Sequence, residues 1–433
     1  MIDKPQLELQ GRPPNLIERL RDLSILLYAV SLSLGITWQW AVLLVGLTLS
    51  LILIACRPKP SEQFVKECLL IWRAPLTVPI LVFVLAATAS GWANGGALEA
   101  WRSFTSLRGM LVYFWAYQAF ASKPSLKEKA IICALSVGAI AGVWAAVQQL
   151  TGLHPSGFHY LQGTGFLGGP MAFAGLMQIF SMLAFGLTVN KSYRNLSPPF
   201  SKKRVFTFVV LGNALGILFA AERSAWLGII LALMCSTMLL SFRRTFRMVI
   251  VLLAVAALLW CTVPVVQQRL SPLVNWQTDV SVRVRFQLWR QSWQIFTDKP
   301  LFGVGIRNFP HQVIPEALGQ GHAALDHAHS NYMHILATTG IVGFAAYFFL
   351  FLSVLLTVAS NLKLSMSRDR QNRTNTWSAQ TGIEFGILAG VVSLLVSGIF
   401  EYNFGTAQIR LAQWFLFGMF SQVKGSNNAG DSG

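Results

Sequence analysis

Apolar stretches close to the length that carries a helix across a bilayer recur along the whole chain, and this repetition constrains the fold more than any single motif does. Twelve such stretches can be marked in the 433 residues. They begin with 23–38 and 40–56, a tight hairpin turned near Thr37 and Gln39, and continue as 72–92, 103–121, 130–151, 169–190 and 205–221. The remaining five are 224–242, 248–266, 335–359, 382–401 and 408–423. Charged residues make up 12% of the chain, against roughly 25% in soluble globular proteins, so a water-soluble fold is excluded. The expected fold class is all-α: a polytopic integral membrane protein with about twelve transmembrane helices and one large extracytoplasmic loop.

A formal charge of +17 could signal nucleic-acid binding, and its distribution decides otherwise. With the N-terminus placed inside, 24 of the 34 Lys and Arg fall in inner segments. The outer side keeps ten: Arg102, Arg108, Arg223, Arg269, Arg283, Arg285, Arg290, Lys299, Arg307 and Arg410. Most of the excess is therefore a topology signal, and no nucleic-acid partner is expected. The resulting organisation is a cytoplasmic N-terminus at 1–22, nine spans within 23–266, a large extracytoplasmic loop at 267–334, three spans within 335–423 and a cytoplasmic tail at 424–433. Arg19 and Arg21 precede the first apolar run without a convincing cleavage site after it, the pattern of an uncleaved signal anchor. Five scattered cysteines without CxxC spacing indicate neither a disulfide frame nor a zinc site.

The long outer segment breaks the pattern of short connections, and long loops of this kind usually carry function. It holds six of the ten outward basic residues and five of the seven histidines, His311, His322, His327, His329 and His334. Within it Phe286, Trp289, Trp293 and Phe296 recur at helical spacing, flanked by Arg283, Arg285 and Arg290. That pattern fits an interfacial anchor with snorkelling arginines, or guanidinium forks placed at headgroup depth for a lipid-linked phosphate. Arg223 lies between two spans on the outer side, where its simplest structural role is pairing with Glu222 and its functional alternative is anion binding. Asp326-His327-Ala328-His329-Ser330-Asn331-Tyr332 supplies a general-base candidate; two histidines at i and i+2 are a weak metal signal, and no metal is expected. Pro300-Leu301-Phe302-Gly303-Val304-Gly305 reads as a tight turn closing the aromatic helix rather than as a phosphate cradle.

Taken in order, Glu222-Arg223-Ser224-Ala225-Trp226, Arg285-Phe286-Gln287-Leu288-Trp289, the Pro300 to Gly305 turn, and His329-Ser330-Asn331-Tyr332 with Gly340 and Gly343 resemble the O-antigen ligase and polymerase superfamily. The resemblance covers the C-terminal half; the N-terminal half matches only in hydropathy and number of spans. It implies a metal-independent, inverting glycosyltransferase of the bacterial inner membrane that needs no cofactor. Such an enzyme takes a glycan from a polyprenyl (undecaprenyl) pyrophosphate donor on the outer face and joins it to the hydroxyl of a lipid or glycan acceptor. By motif position, Arg223 and Arg285 would hold the pyrophosphate with Arg283 as a possible helper, and His329 would be the general base. His327 is a second histidine at the substrate. Glu222 departs from the Gly, Ser or Thr often found before that arginine. Ligase and polymerase share this donor chemistry and differ in the acceptor. Outward positive charge also suits an anion transporter, such as the putative bicarbonate carriers described among relatives, but few acidic residues lie inside spans, and no inverted repeat is visible.

Overall fold

The computed structural model describes residues 16–56, 60–153, 162–274, 277, 279–314 and 326–420. His322 and the segments 1–15 and 424–433 lie outside the described residues. Among the described residues every regular element is a helix. In chain order these are α1 (Leu16–Ser31), α2 (Ile36–Ala55), α3 (Pro60–Trp72), α4 (Thr77–Ser106), α5 (Leu111–Ser122), α6 (Ser125–Thr151), α7 (Pro170–Thr188) and α8 (Lys203–Ala220). Then come α9 (Arg223–Met238), α10 (Phe242–Thr262), α11 (Pro264–Leu270), α12 (Val280–Asp298), α13 (Asn331–Gln371), α14 (Ala379–Ser397) and α15 (Ala407–Phe417).

Eight helical stretches are long and apolar enough to cross a membrane, and the chain is a multi-pass membrane protein. The other four of the twelve expected stretches are not counted separately among these eight. Residues 72–92 and 103–121 lie on either side of a break at Gly95 and Gly96 within the stretch from Thr77 to Ser122, and 23–38 and 224–242 fall largely in the 16-residue helices α1 and α9. The fourth, 408–423, forms the 11-residue α15, which rises only about 16 Å against an apolar bilayer thickness of about 30 Å. Its apolarity serves the protein interior: Trp414, Phe415 and Phe417 are fully buried and join the main core. Hydropathy scores a helix buried in protein and one bathed in lipid alike.

The helices α7 and α14 are the most enclosed of the long elements and pack on each other at the centre. Between them and α9, the Gln178 amide donates to Ser393 Oγ (2.9 Å) and to the Ala225 carbonyl (3.3 Å), tying the start of α9 into the core. At the periphery α10 buries none of its residues, although it is apolar for most of its length; it presents the surface a bilayer requires.

The turn after α12 is held in place by a break in α13. Gly340 adopts φ 63 and ψ −165, a region that only glycine enters at low cost. The turn after α12 docks onto this break: the Val304 and Gly305 amides donate to the carbonyls of Ala337 (3.1 Å) and Thr338 (2.8 Å), and the Ile341 amide donates to the Pro300 carbonyl (2.8 Å). A Cβ on Gly340 would lie 2.6 Å from the Phe302 nitrogen, so this close approach needs glycine. Asn94 on α4 clamps the same turn through the Gly303 carbonyl (2.9 Å). The glycines of this turn thus serve backbone docking, and the docking fixes α12 beside the start of α13.

Candidate active site

Only Ala221 and Glu222 separate α8 from α9, and this short connection builds one wall of the site. Ala221 is held at φ 51, a left-handed conformation costly for a residue with a Cβ. Its carbonyl accepts hydrogen bonds from Arg269 Nε (2.8 Å) and Gln162 Nε2 (3.3 Å), which hold the turn. Glu222 follows as a buried carboxyl that accepts from Gln162 (2.8 Å) and lies 3.6 Å from Arg269. Arg223, the first residue of α9, does not pair with Glu222, because adjacent residues at a helix start diverge. It pairs instead with Asp279 across 2.7 Å. Asp279 is the N-cap of α12 and also accepts from the amides of Ser281 (2.9 Å) and Val282 (3.3 Å). One carboxylate therefore joins the start of α9 to the start of α12.

One turn further along α12, Arg285 donates to the Phe400 carbonyl (3.0 Å), to Ser281 and to Glu401. The second oxygen of Glu401 faces His329 Nδ1 at 3.3 Å. Burial raises the Glu401 carboxyl, but the hydrogen bond to His329 and the charge of Arg285 outweigh it and hold the group below its ordinary value. An ionised carboxylate can only accept, so Nδ1 of His329 carries the proton and Nε2 is left as the basic nitrogen. His329 itself sits at φ 47, with its amide donating to His327 Nδ1 (3.2 Å). Burial first, then the neighbouring His329, pushes His327 down to about 4, so it is neutral at pH 7 and its Nε2 carries the proton. Burial, reinforced by the charge of Glu401, pushes Glu222 up to about 7. Asp279 is raised by burial, but its hydrogen bond and ion pair with Arg223 hold it below the usual carboxylate range.

Arg223, Arg269, Arg285 and Glu222 converge on a cavity of about 440 Å³ whose remaining walls are mostly apolar, among them Trp226, Ile230, Leu270, Phe286, Trp289 and Phe400. Clustered guanidinium groups together with aliphatic and aromatic walls suit a ligand with an anionic head and a hydrocarbon chain. Of the residues singled out in the sequence, Arg223 and Arg285 meet at this cavity, and His327 and His329 stand beside it through Glu401. Arg283 is exposed on α12 and is not among the lining residues. The aromatic stripe is not the packing face of α12: Val284, Leu288, Ser292 and Ile295 are buried, whereas Phe286 and Trp293 are exposed. Arg269, Asp279, Glu401 and Gln162 were not singled out as site residues; a carboxylate at the end of an apolar stretch was the one available signal, and it pointed to Glu401.

A family model described as O-antigen ligase matches residues 206–348. The matched segment runs from α8 into α13 and contains Arg223, Arg269, Asp279, Arg285, His327 and His329; Glu401 lies beyond it. Over this segment the chain is similar to O-antigen ligases, as the ordered motifs lead one to expect, and the match supports a membrane enzyme of the O-antigen ligase and polymerase type. No curated protein matches the chain.

Proposed function

We propose that the chain is a glycosyltransferase that moves a glycan from a polyprenyl pyrophosphate to an acceptor hydroxyl on a lipid or glycan at the outer face of the bacterial inner membrane, with both termini cytoplasmic. The observation that carries this reading is one cavity lined by three clustered arginines and apolar side chains, with a histidine linked to it through Glu401. The pyrophosphate lies against Arg223, Arg269 and Arg285 and the first-turn amides of α9, with its hydrocarbon chain along Ile230, Leu270 and Trp289. The acceptor O–H gives its proton to His329 Nε2 as its oxygen forms a bond to the anomeric carbon. The bond from that carbon to the pyrophosphate breaks, and its electron pair leaves on polyprenyl pyrophosphate, where the arginines stabilise the growing charge. Attack opposite the leaving group inverts the anomeric centre without a metal. Arg283 lies where it adds to the local positive potential at the membrane interface. His327 positions His329 by accepting its backbone amide.

Donor binding tests this reading without knowledge of sugar or acceptor. In native mass spectrometry of the detergent-purified protein, wild type is expected to retain polyprenyl pyrophosphate over plain phospholipid. Arg223→Ala and Arg285→Lys are expected to lose about tenfold or more in affinity, the first because a cation is removed and the second because an ammonium cannot hold Phe400, Ser281 and Glu401 and still face the anion. A folded wild type without preference for the pyrophosphate lipid contradicts the proposal, and anion flux in liposomes then becomes the measurement to make.

Glu222 adds a pH dependence. An incoming pyrophosphate raises the carboxyl further above its free value of about 7, so binding takes up a proton. Donor affinity is then fully present below pH 7 and falls as pH rises above it. Glu222→Gln is expected to abolish this slope and to tighten binding at pH 8.5 by about tenfold, the scale of one unit charge removed from a partly buried anion site. A slope that survives in the variant assigns the titration to another group.

A further inference from the structure

Residues 400 to 402 separate two cavities. Phe400 lines the donor cavity, Glu401 holds both Arg285 and His329, and Tyr402 lines a second cavity of about 360 Å³. Three of the ten arginines and lysines assigned to the outer side meet there although they are far apart in sequence: Arg108 before α5, Arg307 in the outer segment and Arg410 on α15. Among the described residues none of the three forms an ion pair, and Asp326 is the one carboxylate among the lining residues. Arg410 is half-buried, and its Nε is shut off from solvent without a hydrogen-bond partner; so is Nδ1 of His334, another wall residue. Arg108 lies over the ring of Trp40 at 5.2 Å, and Tyr402 and Phe404 add further aromatic surface.

Uncompensated cations with a buried donor lacking a partner call for an anion, since a desolvated guanidinium is costly unless a charge or acceptor meets it. Aromatic faces beside polar groups suit the apolar face of a sugar ring. The place of the cavity matters equally. The rings of His334 and Tyr402 are in tilted contact (centroids 4.0 Å), Tyr402 lies 5.4 Å from His327, and His327 lies 4.4 Å from His329. The second cavity is therefore linked to His329 through Tyr402 and His327, whereas the donor cavity is linked to it through Arg285 and Glu401.

We propose that this cavity binds the acceptor, and that the acceptor is a sugar carrying a carboxylate or phosphate group held by Arg108, Arg307 and Arg410. This deepens the glycosyltransferase reading and rests on it. The donor cavity provides the cations for the leaving group, and the second cavity provides separate cations for a substrate that must enter with its hydroxyl directed at His329.

Saturation-transfer NMR on the full-length protein in nanodiscs of neutral lipid tests the proposal with glucose 6-phosphate, glucuronate and glucose as probes. Wild type is expected to bind the two anionic sugars at least tenfold more tightly than glucose. Arg307→Gln, at an exposed position, and Arg410→Gln are expected to bring that preference to within about twofold, whereas Arg223→Ala keeps it. Absence of a preference in wild type, or its loss in Arg223→Ala alone, overturns the acceptor assignment. Added short-chain phosphatidylglycerol that displaces the sugars and binds more tightly than they do assigns the cavity to a lipid headgroup and overturns it as well. The donor reading has its own readout: polyprenyl pyrophosphate binding that falls in Arg307→Gln and not in Arg223→Ala places the donor in the second cavity, a failure distinct from the others.

Discussion

Replacement of His329 by alanine is expected to lower glycan transfer by about 10²- to 10⁴-fold while leaving donor affinity within about twofold, the signature of a lost general base. The geometry separates these two effects. His329 is not among the residues lining the donor cavity, and its contact with that cavity runs through Glu401. With Nδ1 committed to the carboxylate, Nε2 is the nitrogen available to the acceptor proton. Single-turnover transfer from a lipid-linked donor, read beside donor binding by native mass spectrometry, measures both quantities on one preparation. Unchanged transfer removes His329 from the chemistry; equal losses in binding and transfer make it a structural residue.

The second large effect is expected at Glu401. Glu401→Gln keeps the size of the side chain and removes the charge that joins Arg285 to His329. Arg285 then lacks its carboxylate in a partly buried place, and the His329 ring loses the partner that sets its tautomer. Transfer is expected to fall by about 10²-fold or more, the range seen when the orienting acid of a histidine base is neutralised. Donor affinity is expected to fall as well, because Arg285 faces the donor cavity. That combined loss distinguishes Glu401→Gln from His329→Ala, in which transfer alone falls. A Glu401→Gln variant with near-normal transfer would falsify the linked arrangement of base and arginine.

The helical class and the membrane setting were legible because they depend on sums over long windows, where apolar length and low charge outweigh local detail. Which apolar helices face lipid was not, because an 11-residue core helix such as α15 and a peripheral helix such as α10 have the same hydropathy and opposite surroundings. Arg223 and Arg285 could be singled out from position and motif. Their carboxylate partners could not: Asp279 lies 56 residues from Arg223, and Glu401 lies 116 from Arg285 and 72 from His329. Pairing of Arg223 with Glu222 was the simpler of two readings and a contact of sequence neighbours; the structure instead joins the starts of α9 and α12 through the ion pair of Arg223 with Asp279. The aromatic stripe of α12 leaves Phe286 and Trp293 exposed while Leu288 and Ile295 turn inward, the exposure that an interfacial anchor requires.

The most direct test of the central claim is transfer itself, in proteoliposomes containing the wild-type protein, a radiolabelled polyprenyl pyrophosphate glycan and a glycolipid extract as acceptor. Label is expected to move to the acceptor fraction, or into longer lipid-linked chains if the acceptor is a second donor glycan, with one free polyprenyl pyrophosphate released per linkage and the anomeric centre inverted. Intact donor after prolonged incubation with folded protein that binds it, and no release of polyprenyl pyrophosphate, would contradict the account.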